Sequence, residues 1–151
     1  MGEQYVSFAF QPESRARYEF EILERQWLGG HVVYRIAYRP RSNVDLLPTG
    51  EVWIDTNEFV IVRQEFGYEN GSPLPLFLKS FSNCVVERSR VDGDFWVWTR
   101  FFVRVETTSA LRWGGRVSGH PFGEVIDLSY SRTAWEVNRG LPDSLFAQVE
   151  E

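Results

Sequence analysis

One cysteine (Cys84), one lysine (Lys79) and two histidines (His31 and His120) are all that 151 residues hold of these types. A single thiol excludes an internal disulfide, and no CxxC or Cys/His spacing exists to hold a metal. Cys84 falls in an alternating segment, where a small buried hydrophobe is the expected role. His31 and His120 each stand in a glycine-rich turn with no HxxxH pattern or carboxylate pair beside them, so they are read as exposed turn residues, and neither metal nor cofactor is expected. Ser118-Gly119-His120 lacks the strand-turn-helix setting of a nucleophile elbow, and no catalytic residues are assigned. Fifteen of the sixteen basic residues are arginine, which reads first as a coding bias.

Other absences narrow the class. No run of eighteen apolar residues occurs, so no segment suits a membrane-spanning helix. Met1-Gly2-Glu3-Gln4 has neither the basic start nor the apolar core of a signal peptide, leaving a cytoplasmic chain or one that begins after a removed leader. A net charge of −5 and a pI near 5.1 argue against a nucleic-acid partner, whose phosphates demand a basic footprint. No segment of ten residues carries a convincing helical period, apart from a weak turn at Pro142-Asp143 with Leu145 and Phe146 behind it.

Rings are abundant instead: six Trp and twelve Phe, types that suit strands and ligand-facing surfaces. The stretch His31 to Phe66 reads as three successive strands around which the rest is organised. The first alternates Val32, Tyr34, Ile36 and Tyr38 against Val33, Arg35, Ala37 and Arg39 until Pro40 stops it. The second carries Trp53-Ile54-Asp55, and the third returns from Phe59 after Thr56-Asn57, where Asn tolerates a left-handed turn position. Asp55 beside that turn is assigned to accepting local backbone N–H groups rather than to catalysis.

The same grammar holds elsewhere. A short strand is expected over Tyr5 to Phe10, and another with Tyr18, Phe20 and Ile22 on one face before a Gly29-Gly30 hairpin. A long strand from Leu76 to Val91, bent near Ser80 to Asn83, is joined to Asp94 to Thr107 by the Asp92-Gly93 hairpin. Trp113 to Pro121 reads as irregular, and a last strand runs from Phe122 to Val137. The fold class is therefore all-β with minor helix: a strongly curved antiparallel meander of about seven to nine strands, half-barrel or barrel-like. It forms a single β domain over residues 1–151, either complete or a fragment of a larger protein.

The strand from Asp94 is apolar on both faces near its turn, which demands cover on each side or a ligand. Trp53, Trp96, Trp98 and Phe102 are the candidates for lining an apolar cavity, with ordinary core packing as the alternative. Arg100 and Arg104 alternate with Trp98 and Phe102; they suit an anionic head group, or cross-strand pairing with Glu87 or another acid.

The segments YRIAYRPR, PTGEVWIDTNEFVIVRQEF and VNRGLPDSLF resemble the LolA/LolB-like superfamily of periplasmic lipoprotein-sorting and related lipoprotein-binding β-folds. The matches fall on Pro40, Gly50, Trp53, Ile54, Asp55, Arg63, Glu65, Pro142, Asp143 and Phe146. The resemblance implies a concave, aromatic-rich face that accepts an acyl chain, a lipid, a lipoprotein or another apolar small molecule in the bacterial envelope. This chain departs from it in having almost no helix to plug the concavity. The expectation is thus a non-enzymatic apolar-ligand binder. A small β-barrel enzyme acting on a hydrophobic substrate, or a module that self-pairs as a homodimer, is the alternative.

Overall fold

A computed structural model describes residues 8–69, 71–91, 93, 95–108 and 125–135. Their strands are β1 (Tyr18–Leu28), β2 (His31–Pro40), β3 (Thr49–Asp55), β4 (Ile61–Gly67), β5 (Leu78–Val91), β6 (Phe95–Thr107) and β7 (Val125–Ser131). They form one curved antiparallel sheet in strict sequence order, β1 to β7, and β1 does not pair with β7, so the meander is open. Where the connection is short, as at Gly29-Gly30 between β1 and β2, the turn itself places the next strand beside the last; longer loops join β2 to β3 and β4 to β5.

Turn chemistry sets the register. Gly29 and Gly30 adopt φ of 58° and 89°, the left-handed pair that a two-residue hairpin requires, and Leu28 and His31 face one another across it. Gly50 answers to close approach instead: a Cβ there would lie 2.0 Å from the Glu65 carbonyl oxygen and 2.8 Å from the Phe66 Cα. Four register shifts along the sheet leave one residue without an opposite number, among them Leu23 on β1, Val62 on β4 and Thr99 on β6, and a fifth sets Asn83 and Cys84 against Val103. Bulges of this kind increase local twist and bend the strands, which is how a meander of alternating residues curves. The bend expected near Ser80 to Asn83 falls at such a shift, with Asn83 at φ 52°.

One face of the sheet carries the main core. Tyr38, Val52, Phe66, Cys84, Val86, Val103 and Val105 are buried there, with Phe81, Trp98, Phe101 and Ile126 packed around them. Each such side chain removed from water contributes roughly 1.5–3 kcal/mol. Gln64 is wholly buried among them, and its amide Nε2 donates to the Tyr38 hydroxyl at 2.9 Å. A smaller cluster of Val33, Trp53 and Val62 takes in Leu28 and Trp96.

Several expectations change. Phe8–Phe10 is a 3-10 turn rather than part of a strand, and Ala9 and Phe10 cover the core beside Tyr18 and Tyr38. A single helical turn, α1 (Pro12–Arg15), follows, with proline at its start, where the missing N–H costs nothing. The last strand is shorter than expected, ending at Ser131. The turn after Asp55 is longer than a Thr56-Asn57 pair: Phe59, not Asn57, takes the left-handed conformation, at φ 56°. Residues 1–7, the Trp113 to Pro121 segment with His120 and the tail with Pro142, Asp143 and Phe146 lie outside the described residues.

Candidate functional site

The strand with two apolar faces, β6, does not alternate as its sequence reads. Glu87 pairs with Arg100 and Arg88 pairs with Trp98, so Thr99 has no opposite number on β5. Neighbours on a strand point to opposite faces, hence Trp98 follows Arg88 to the core face while Arg100 goes with Glu87 to the other. Trp98 accordingly packs beside Phe101 against the core, with the Arg88 guanidinium 5.6 Å from its ring centre. Trp98 and Arg100 thus part company, contrary to the even alternation expected of them.

This displacement builds a cleft. Strand β7 makes its last pair, Ser131 with Arg100, next to the bulge, and the Arg132 backbone N–H then donates to the Thr99 carbonyl at 2.9 Å. Beyond that point the chain brings Trp135 over the end of the sheet. Trp98, Phe101, Tyr130 and Trp135 line a cleft of about 360 Å³ together with Arg100 and Arg132. That volume lies within the roughly 300–1,000 Å³ of ligand pockets. The Arg132 guanidinium stands 5.4 Å from the Tyr130 ring centre and 4.7 Å from that of Trp135, and its Nε donates to the Tyr130 hydroxyl. The Trp135 indole N–H is buried and has no acceptor among the described residues.

The other residues singled out in the sequence lie elsewhere. Trp53 sits on the opposite face, 7% exposed, between the guanidiniums of Arg35 at 5.6 Å and Arg63 at 5.3 Å. Those arginines are fixed in turn: Arg35 donates to Glu51 at 2.7 Å and Glu24 at 2.9 Å, and Arg63 donates to Glu87 at 3.0 Å and to Glu65. Phe102 shares that face through its partner Val85 and is half-buried. Arg104 makes a two-pronged pair with Asp127, both contacts 2.7 Å, which holds its charge to β7 and keeps the Asp127 carboxyl below the usual range. Arg100 has the cross-strand partner anticipated for it, Glu87, but only at 3.7 Å.

Trp96 belongs to a third place, beside the β1–β2 and β3–β4 turns. Its indole N–H donates to Glu58 at 2.7 Å, Arg90 donates to the other oxygen of that carboxylate at 2.8 Å, and its ring lies 5.2 Å from His31. Here Asp55 does what its position suggested. One carboxylate oxygen accepts the N–H of Asn57 at 2.7 Å and of Glu58 at 2.8 Å. The other lies 3.0 Å from His31 Nδ1, and because a carboxylate only accepts, Nδ1 carries the hydrogen. The Glu58 N–H, before the Asn57 N–H and His31, holds this carboxyl below the ordinary range against the opposing effect of burial. His31 is therefore not the free turn histidine expected; its side chain is only 30% exposed. The pair resembles half of a hydrolytic triad, yet no hydroxyl or thiol bonds to His31 among the described residues, and none of their His, Cys, Asp and Glu side chains cluster in threes as a metal site would.

A larger cleft, about 590 Å³, is a polar trough lined by Glu19, Glu21, Arg39, Arg41, Glu51 and Glu69, with Arg39 and Arg41 both paired to Glu19. Both of its arginines are already matched to a carboxylate. No described helix is long and apolar enough to cross a membrane. Comparison of the chain with family models, with curated proteins and with solved structures gives no match.

Proposed function

We propose that this sheet is a non-enzymatic binding module that takes an apolar ligand, an acyl chain or a molecule of similar shape, into the ring-lined cleft between β6 and β7. The observation that carries the reading is the convergence of Trp98, Phe101, Tyr130 and Trp135 on a cleft of about 360 Å³. Rings offer large contact area at little conformational cost, and apolar surface gains by leaving water. The resemblance to the lipoprotein-sorting folds adds the setting to the proposal: the bacterial envelope, with a lipid or the acyl chains of a lipoprotein as occupant. Trp98 and Arg100 are the sequence-derived candidates that line this cleft; Tyr130, Arg132 and Trp135 join them.

Uptake of the neutral fluorophore N-phenyl-1-naphthylamine, together with native mass spectrometry of protein purified from bacteria, tests the reading. Saturable enhancement that Trp98→Ala abolishes is expected, with a co-purified lipid mass. A monomer free of lipid that leaves the fluorophore dark would contradict it.

A second reading, pairing with another copy of the chain, is favoured by β1. Among the described strands this edge strand has a neighbour on one side only, and it exposes Ile22, Leu23 and Trp27. An unpaired edge with apolar side chains is a template for strand addition. Light scattering after size exclusion decides it: a dimer that Trp27→Lys converts to monomer supports pairing, and a concentration-independent monomer refutes it.

A further inference from the structure

We infer that the cleft selects amphiphiles with a terminal carboxylate, and that Arg132, with the indole N–H of Trp135, holds that head group while the chain lies against Trp98 and Phe101. This rests on the proposed apolar-ligand reading and adds the chemical class of the ligand. Two observations carry it. Arg132 is exposed and lines an apolar cleft, stacked on two rings, and no carboxylate lies within ion-pair distance of it among the described residues. Arg17, Arg35, Arg39, Arg41, Arg63, Arg90 and Arg104 all have acidic partners at 3.6 Å or less; Arg15 and Arg25 have none among the described residues but do not line the cleft.

The second observation is the buried Trp135 N–H without an acceptor. A desolvated donor left unpaired costs roughly 1–3 kcal/mol, which an oxygen of the ligand would recover. A carboxylate satisfies both groups at once, since it offers two acceptor oxygens and one negative charge. A hydroxyl supplies no charge for Arg132. The other arginine lining the cleft, Arg100, points with Glu87 to the opposite face, so it is the weaker anchor.

Displacement of N-phenyl-1-naphthylamine by dodecanoate and by dodecanol separates the possibilities. In the unaltered protein dodecanoate is expected to bind roughly tenfold more tightly, the scale of one charge-assisted hydrogen bond. Arg132→Gln is expected to erase that preference for the acid over the alcohol, Trp135→Phe to reduce it, and Arg100→Gln to retain it. Circular dichroism establishes that each variant is folded. Equal binding of acid and alcohol, or a preference that survives Arg132→Gln, overturns the inference while leaving the apolar cleft intact. Failure of both ligands to displace the fluorophore overturns the apolar reading and the inference with it.

Discussion

Trp98 and Arg100, two positions apart on β6, project to opposite faces of the sheet because Thr99 between them has no partner on β5. The bulge turns a strand that would present one mixed face into one that sends a ring to the core side and a cation to the other. It lies where β7 ends, so the rearrangement coincides with the mouth of the ring-lined cleft.

Two tryptophans should therefore behave differently when truncated. Trp53 is nearly sealed between Arg35 and Arg63 and packs with Val33 and Val62. Trp53→Ala is expected to cost about 3–5 kcal/mol in urea denaturation, whereas Trp98→Ala, at a half-buried site, costs less and loses fluorophore binding. Equal stability losses would contradict this division of roles.

Asp55 ties the β3–β4 turn through three hydrogen bonds. Asp55→Ala is expected to lower stability by about 1–3 kcal/mol, since it strands two backbone donors. The carboxyl's pKa is lower in the folded than in the unfolded state. Its ionised form thus stabilises the fold at any pH above the unfolded value of about 3.9, and the contribution is lost as pH falls through the folded value. Thermal melts of the native chain should fall off below about pH 4, and those of Asp55→Asn should fall off less. Parallel acid profiles for the two proteins would refute the assignment.

Glycines separate by what surrounds them. Gly50→Ala sets a methyl 2.0 Å from a backbone oxygen and is expected to cost at least about 3 kcal/mol or prevent folding. At Gly29 a Cβ meets nothing, and only the left-handed conformation is penalised, by about 1–2 kcal/mol. Melting temperatures of the two variants rank them; the reverse order would mean that the β3–β4 register is wrong.

Burial pushes the Cys84 thiol up to about 12. At pH 8 almost none is thiolate, the reactive form, so alkylation by iodoacetamide should be negligible in the native protein and rise along the urea unfolding curve. Rapid labelling without denaturant would show that β5 opens to solvent.

Much of this architecture is legible in the sequence. Period-two alternation in YRIAYRP, the Gly29-Gly30 and Asp92-Gly93 turns and the stop at Pro40 mark out the β1–β2 and β5–β6 hairpins, because a tight turn leaves little topological freedom. Asp55's turn role follows from its place beside the turn. The cleft is less legible, for a physical reason. FWVWTRFF is apolar at nearly every position, so its pattern cannot reveal a one-residue slip, and only pairing with Glu87 and Arg88 does. His31 and Asp55 meet because β2 and β3 are in register, 24 residues apart in sequence, and neither residue carries a local sign of the other. Phe8–Phe10 is too short for alternation to separate a strand from a 3-10 turn.

Photo-crosslinking with a diazirine-bearing dodecyl chain, followed by peptide mapping, locates the ligand most directly. Adducts are expected on the peptides holding Trp98 to Phe101 and Tyr130 to Trp135, and an excess of unlabelled dodecanoate should compete them away. Adducts confined to the opposite face around Trp53 and Phe102, or none that compete, would contradict the account.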